Sequence, residues 1–183
     1  MMTDITIRPM TVGDVGRIVD VEKSAALLFV KSPYPELANP GMVTQHRYLS
    51  LFASGGFGWV ALVSNGTIVG FTMAAQLGKA WHLHEISVEA DFQGMGIGRN
   101  LLNYLIAESI RIKIQEISLT TYRDVSWNAP LYESLGFEEL MQEDISNDLS
   151  SILANEIKNG ANPQTRIAMR ILPGNNKIRS GCD

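Results

Sequence analysis

Apolar residues fall at every second position in Ile5-Thr6-Ile7-Arg8, which predicts a short strand, and at helical spacing from Val15 to about Phe29, which predicts a helix. Thr11 through Asp14 supply the capping groups for that helix. From Lys31 to Gly41 three prolines and a glycine forbid a regular element, so this segment reads as a substantial loop. A second helix is expected over Val43–Phe52, stopping at Gly55-Gly56. Trp59–Val63 and Thr67–Met73 flank Asn65-Gly66, a strong hairpin signal. Trp81–Val88 predicts a strand, Asn100–Lys113 a helix, Ile117–Thr121 a strand, and Ala129–Leu135 a short helix ending at Gly136. Asp144–Asn159 reads as a helix or an extended insertion. Thr165–Leu172 alternates as a final strand, paired either with the strand at 117–121 or with a mate near Phe137–Met141. Its other edge offers a surface through which two copies could pair as a homodimer. No internal repeat or low-complexity block interrupts the series.

Composition narrows the classes. With 183 residues, 45% of them hydrophobic and 19% charged, the chain fits one α/β domain spanning 1–183 around a single core. A net charge of −4 without clustered Lys and Arg argues against a nucleic-acid partner. No apolar run approaches a membrane span, and Met1-Met2-Thr3-Asp4 lacks a basic region followed by an apolar stretch, so a cytoplasmic protein with no membrane partner is expected. The single cysteine, Cys182, excludes an intrachain disulfide and is a poor nucleophile so near the chain end.

The most telling stretch is Gln93-Gly94-Met95-Gly96-Ile97-Gly98-Arg99, set between an apolar strand and a helix beginning near Asn100. Three glycines in five positions let several backbone N–H groups converge on one anion, and the following helix adds its positive end. A nucleoside-triphosphate loop needs Gly-Lys-Ser/Thr, whereas this chain has Gly98-Arg99-Asn100. The dinucleotide fingerprint fails as well, because its third glycine would fall on Arg99 and no regular βαβ series follows.

Just upstream, His82 and His84 lie on one face of their strand with Ile86 and Val88, while Trp81, Leu83, Glu85 and Ser87 lie on the other. The histidines titrate near neutrality and could take a proton from an incoming ammonium; Glu85, on the opposite face, is the second candidate base. A metal site needs a third ligand, which nothing nominates, so no metal is expected.

Gln-x-x-Gly-x-Gly at Gln93–Gly98 resembles the acyl-coenzyme A loop of the GNAT superfamily of acyltransferases, and the order of elements is similar over most of the chain. The resemblance implies the GNAT fold: a mixed, mostly antiparallel central sheet with helices on both faces. It implies acetyl-CoA as cosubstrate, bound by the loop from Gln93 onward with its pyrophosphate held by amides of Gly94, Met95, Gly96, Ile97, Gly98 and Arg99. It also implies that the backbones of Ile86 and Val88 pair with the pantetheine arm and polarise the thioester. His82-Leu83-His84 before the loop is similar to the arylalkylamine (serotonin) N-acetyltransferases, and Pro130-Leu131-Tyr132 with Gly136-Phe137 resembles another segment of those enzymes, which makes Tyr132 the candidate general acid toward the departing thiolate. The commoner pattern has a coenzyme-binding asparagine seven residues before this tyrosine; here that position is Val125, and Asn128 either replaces it or caps the helix.

These features imply an acetyl-CoA-dependent N-acetyltransferase acting by direct attack of a primary amine. A small-molecule amine is the first expectation, held in a pocket lined by Phe29, Tyr34 and Leu37 of the Pro-rich segment. The alternatives are a protein N-terminal or lysine acetyltransferase, and a non-catalytic CoA-binding regulatory module.

Overall fold

The structure is a computed structural model that describes residues 4–39, 41 and 43–174; Cys182 lies outside them. Two compact units are distinguished, one running through Gln76 and resuming over His82–Leu105, the other comprising Leu77–Trp81 and the chain from Ile106 onward.

In the first unit, strand β1 (Ile5–Pro9) pairs antiparallel with β2 (Phe57–Val63), from Ile5 opposite Val63 to Pro9 opposite Trp59. Strand β2 then pairs antiparallel with β3 (Ile68–Leu77) across the Asn65-Gly66 turn, with one register shift between Ala61 and Leu62. Strand β4 (Ala80–Val88) is hydrogen-bonded beside β3. The pleat sorts the side chains between two helical layers. Val60, Phe71 and Met73 join Ile18 and Val21 of α1 (Val15–Ala25) and Tyr48 of α2 (Gln45–Ala53) in one buried cluster, where the Tyr48 ring meets Phe71 edge-on at 5.6 Å. Trp59, of opposite parity to Val60, instead meets Tyr104 of α3 (Ile97–Arg111) at 5.8 Å. Helices thus cover both faces of this unit's strands.

In the second unit, β5 (Ile117–Tyr122) pairs antiparallel with β7 (Arg166–Ile171), and the two-residue β6 (Glu138–Glu139) pairs along the other side of β7. The Trp81 N–H, at the start of β4, donates to the Glu116 carbonyl at 3.0 Å. Between β5 and β6 lies the one-turn helix α4 (Ala129–Glu133). Helix α5 (Asn147–Lys158) starts where the Ser146 hydroxyl accepts from the Leu149 amide, and it lays Leu149 and Leu153 against Leu140 and Ala168. The described strands number seven and are mostly antiparallel, as the α/β expectation required.

Four expectations change. Helix α1 ends at Ala25, and the chain tightens into a 3₁₀ turn over Ala26–Lys31. The Pro-rich segment is not wholly irregular, because Pro35 presets the φ of a first helical turn and Pro35–Ala38 forms a second 3₁₀ turn. Helix α3 begins at Ile97, three residues before the expected start. Strand β7 is not an open edge: it takes both proposed partners, and the Leu140 N–H also donates to the Ala168 carbonyl at 2.9 Å.

Strand β2 passes close enough to β3 that a methyl group on Gly58 would lie 2.0 Å from the Thr72 carbonyl oxygen. Because that obstacle is backbone, Gly58→Ala is expected to cost about 3 kcal/mol, read as a lowered urea midpoint with an unchanged m-value.

Candidate active site

The glycine loop is shaped by two positive backbone angles, φ 75° at Gly94 and 79° at Gly96, which L side chains avoid. Beyond the adjoining residues nothing lies within 4 Å of the place where either Cβ would stand, so the backbone angle, not lack of space, is what calls for glycine there. The first i→i−4 hydrogen bond of α3 runs from the Asn100 N–H to the Gly96 carbonyl, leaving the amides of Ile97, Gly98 and Arg99 outside that ladder at the positive end of a 15-residue helix. A cradle of this shape and polarity fits a pyrophosphate. The Gln93 side-chain amide donates to the Val88 carbonyl at 2.9 Å and ties the loop to the end of β4. Met95 is exposed at the tip.

Strand β4 divides its residues as the alternation predicts. On one face the imidazoles of His82 and His84 meet edge to face at 4.8 Å, and a Cβ on Gly98 would touch Val88 and Ile86 at 3.7 and 3.9 Å, so this is the face that α3 covers. His82 is 2% exposed. On the other face Glu85 enters a charge cluster that the sequence does not reveal. Arg47 of α2 donates to Glu22 of α1 at 2.9 Å and, more loosely, to Glu85 at 3.4 Å. The Tyr48 hydroxyl donates to the second oxygen of Glu22, and the Ser87 hydroxyl donates to Glu85 at 3.0 Å.

Burial, then the neighbouring Glu22 charge, push the Glu85 carboxyl up to about 7, against the opposing pull of Arg47 and the Ser87 hydrogen bond. Burial works against the Arg47 charge, yet Glu85 and Glu22 hold its guanidinium above the ordinary value. Burial and the same two carboxylates drive the Tyr48 phenol far upward, so it stays a donor. One signal for this cluster is present in the letters: Glu22 continues the stripe Val15, Ile18, Val19 on the buried side of α1, where a carboxylate is out of place. Arg47 and Tyr48 carry no comparable mark.

In the second unit Tyr132 is buried, its ring packed against Phe137 at 5.8 Å, and its carbonyl accepts from the Phe137 N–H at 3.1 Å. Asn128 stands at the N-cap of α4 but makes no side-chain cap hydrogen bond, so the capping alternative is not realised; its carbonyl accepts from the amides of Leu131 and Tyr132. Of the expected pocket residues, Phe29 and Leu37 are half-buried and Tyr34 is 7% exposed. The Ser32 hydroxyl accepts from the Tyr34 N–H and donates to the Phe29 carbonyl, so this segment is braced from within. Among the described residues no cluster of three or more His, Cys, Asp or Glu could hold a metal ion, and no helix is long and apolar enough to cross a membrane.

Residues 26–137, which include the glycine loop, β4 and the Tyr132 segment, match the acetyltransferase (GNAT) family. The chain belongs to the GNAT family. It is 30% identical to the N-alpha-acetyltransferase RimI of Mycobacterium tuberculosis over 142 residues, 74% of this chain and 80% of that protein. It is 33% identical to the [ribosomal protein bS18]-alanine N-acetyltransferase of Escherichia coli over 78 residues, 43% of this chain and 53% of that protein. The fold of this GNAT chain is shared with the crystal structure of the ribosomal-protein-S18-alanine N-acetyltransferase from Escherichia coli, at TM-score 0.68 and 19% identity over 96% of this chain and 98% of that one. It is shared equally with PaiA N-acetyltransferase from Thermoplasma acidophilum in complex with coenzyme A, at TM-score 0.68 and 16% identity over 92% and 99%. The protein is therefore an acetyl-CoA-dependent N-acetyltransferase.

Gly96→Ala is expected to weaken coenzyme A binding about tenfold by calorimetry, because a left-handed backbone costs an alanine roughly 1–2 kcal/mol and the cradle flattens to avoid it. The raised Glu85 group has a second consequence. Its ionisation disfavours the folded state as pH climbs from the unfolded carboxylate value through about 7. Glu85→Gln is accordingly expected to raise Tm by a few degrees at pH 8 and to leave it unchanged at pH 4.5.

Proposed function

We propose that this enzyme acetylates the α-amino group at the N-terminus of a protein, with Glu85 as the general base. What supports the reading is the placement of Glu85 on β4 beside Ser87 at 3.0 Å and the Arg47–Glu22 pair, where burial and the Glu22 charge raise its carboxyl to about 7. An α-ammonium loses its proton near 8, so transfer to such a base is uphill by only about one unit. A lysine or alkylammonium near 10.4 would lie further uphill. The 30% identity to an N-alpha-acetyltransferase supports the same acceptor class.

Acetyl-CoA, held by the amides from Gly94 to Arg99, by Asn128 and by the backbones of Ile86 and Val88, supplies the acetyl group as a thioester. Glu85 takes the proton that frees the amine lone pair, directly or through a water. The Val88 N–H is the donor assigned to the carbonyl oxygen as negative charge develops there. Tyr132 gives its proton to the departing sulfur, and the second proton that the nitrogen sheds as the amide forms restores the phenol. No side chain forms a covalent intermediate. His82 and His84 shape the α3 face of the strand in this scheme rather than the acceptor's proton path.

A second reading, a small primary amine, keeps the support of the His82-Leu83-His84 likeness to arylalkylamine N-acetyltransferases and of the braced segment around the buried Tyr34. Thiol release from acetyl-CoA separates the two. A peptide with a free N-terminus is expected to be turned over with a higher kcat/KM than the same peptide N-blocked but carrying lysine, and than tryptamine or spermidine. Greater activity on either small amine would overturn the α-amine reading.

Glu85→Gln is expected to lower kcat/KM for the best acceptor about 10²- to 10⁴-fold and to abolish a rise in rate through pH 7, whereas Tyr132→Phe lowers kcat while leaving that rise in place. A rise through pH 7 that survives in Glu85→Gln removes Glu85 as the base.

A further inference from the structure

The Glu22, Arg47, Tyr48 and Glu85 cluster is built asymmetrically. Both oxygens of Glu22 are engaged at close range, one by Arg47 at 2.9 Å and the other by the Tyr48 hydroxyl. Glu85 is engaged by Ser87 at 3.0 Å and only distantly by Arg47 at 3.4 Å. Its replaceable partner is therefore Arg47. The formal charges leave room for another cation: two ionised carboxylates and one guanidinium sum to −1, and the Tyr48 phenol adds nothing. The elements packed around Glu85 contribute Glu22 from α1, Arg47 and Tyr48 from α2, and Ser87 from β4 itself; Phe71 of β3, against which Tyr48 packs, is apolar.

We infer that Arg47 and Glu22 are opposed positioning residues for Glu85: Arg47 screens the Glu85 carboxylate until an acceptor ammonium arrives, then withdraws onto Glu22, which Tyr48 holds in place to receive it. This rests on the assignment of Glu85 as base. The acceptor's cation takes the position that Arg47 gives up, so the cluster exchanges one positive charge for another and the carboxylate stays ionised long enough to accept the proton. An anionic or neutral acceptor supplies no such exchange. The two neighbours act on Glu85 in opposite senses, since a cation favours its ionised form and a second carboxylate opposes it.

Carbon-13 NMR titration of the Glu85 carboxyl reads this without reference to turnover. Arg47→Gln is expected to move the titration midpoint up by about one unit and Glu22→Gln to move it down by about as much, with Arg47→Lys close to wild type. Far-UV circular dichroism confirms that each variant is folded, and Glu22→Gln retains a side chain able to meet both Tyr48 and Arg47. Midpoints that move in the same direction, or not at all, overturn the opposed pair. Titration with L-alaninamide, which carries an α-ammonium, is expected to shift the Arg47 guanidinium resonances in wild type and not in Glu85→Gln; no shift in wild type overturns the withdrawal. The pH profile of kcat/KM keeps the two readings apart. If the NMR midpoints diverge as stated while the rise in kcat/KM stays fixed, the positioning pair stands as a property of the Glu85 carboxyl and the base assignment fails.

Discussion

The pleat of β4 is the constraint from which the site follows. A strand must send successive side chains to opposite faces, and here the two faces have different neighbours: α3 with its glycine loop, and the layer of α1 and α2. Ile86 and Val88 therefore meet the helix that follows the glycine loop, while Glu85 meets Ser87 and the charged groups of α1 and α2. Slipping this strand by one residue would place two imidazoles among carboxylates and a carboxylate beneath α3. Register here decides chemistry as well as packing.

Ionisable groups drawn out of water usually weaken a fold, and the Glu85 cluster, with Glu85 half-buried and Arg47 still exposed, illustrates how such a cost is contained. Each charge has a partner, and the least satisfied carboxylate is the one assigned to the reaction. A fully neutralised Glu85 would be a poor base, because a close ion pair with Arg47 would hold its proton affinity too low. An unaccompanied one would remain protonated at neutral pH. The observed compromise, a loose 3.4 Å contact to a shared guanidinium, lies between these extremes.

How much of this can be read from the letters depends on range. The glycine loop, the pairing of His82 with His84, the hairpin at Asn65-Gly66 and the short helix of Tyr132 are local patterns, set by backbone sterics and by the two-residue period of a strand, and each is legible. Helix α3 starts earlier than its letters suggest because Gly98 counts against a helix in isolation, whereas its helical position lets α3 approach Val88 and Ile86. The 3₁₀ turn at Pro35 escapes notice for a related reason: proline ends an established helix but suits a first turn. Arg47 and Tyr48 stay invisible, since nothing within α2 says that residues 38 and 26 positions away in sequence will be their partners. Their role arises from tertiary packing alone. The expectation of a small amine leans on Phe29, Tyr34 and Leu37 of the Pro-rich segment, where the letters show apolar side chains but not how the segment folds.

The clip between Gln93 and the end of β4 has a mechanical meaning. The peptide unit joining Val88 to Glu89 is fixed at both ends, its carbonyl by the Gln93 side chain and its N–H by the Val69 carbonyl at 2.8 Å. The glycine loop and β3 are thus tied to the two ends of one peptide unit. Occupancy of the loop should be felt inside β3 as slower exchange of its amide hydrogens, although no atom of the ligand need touch that strand.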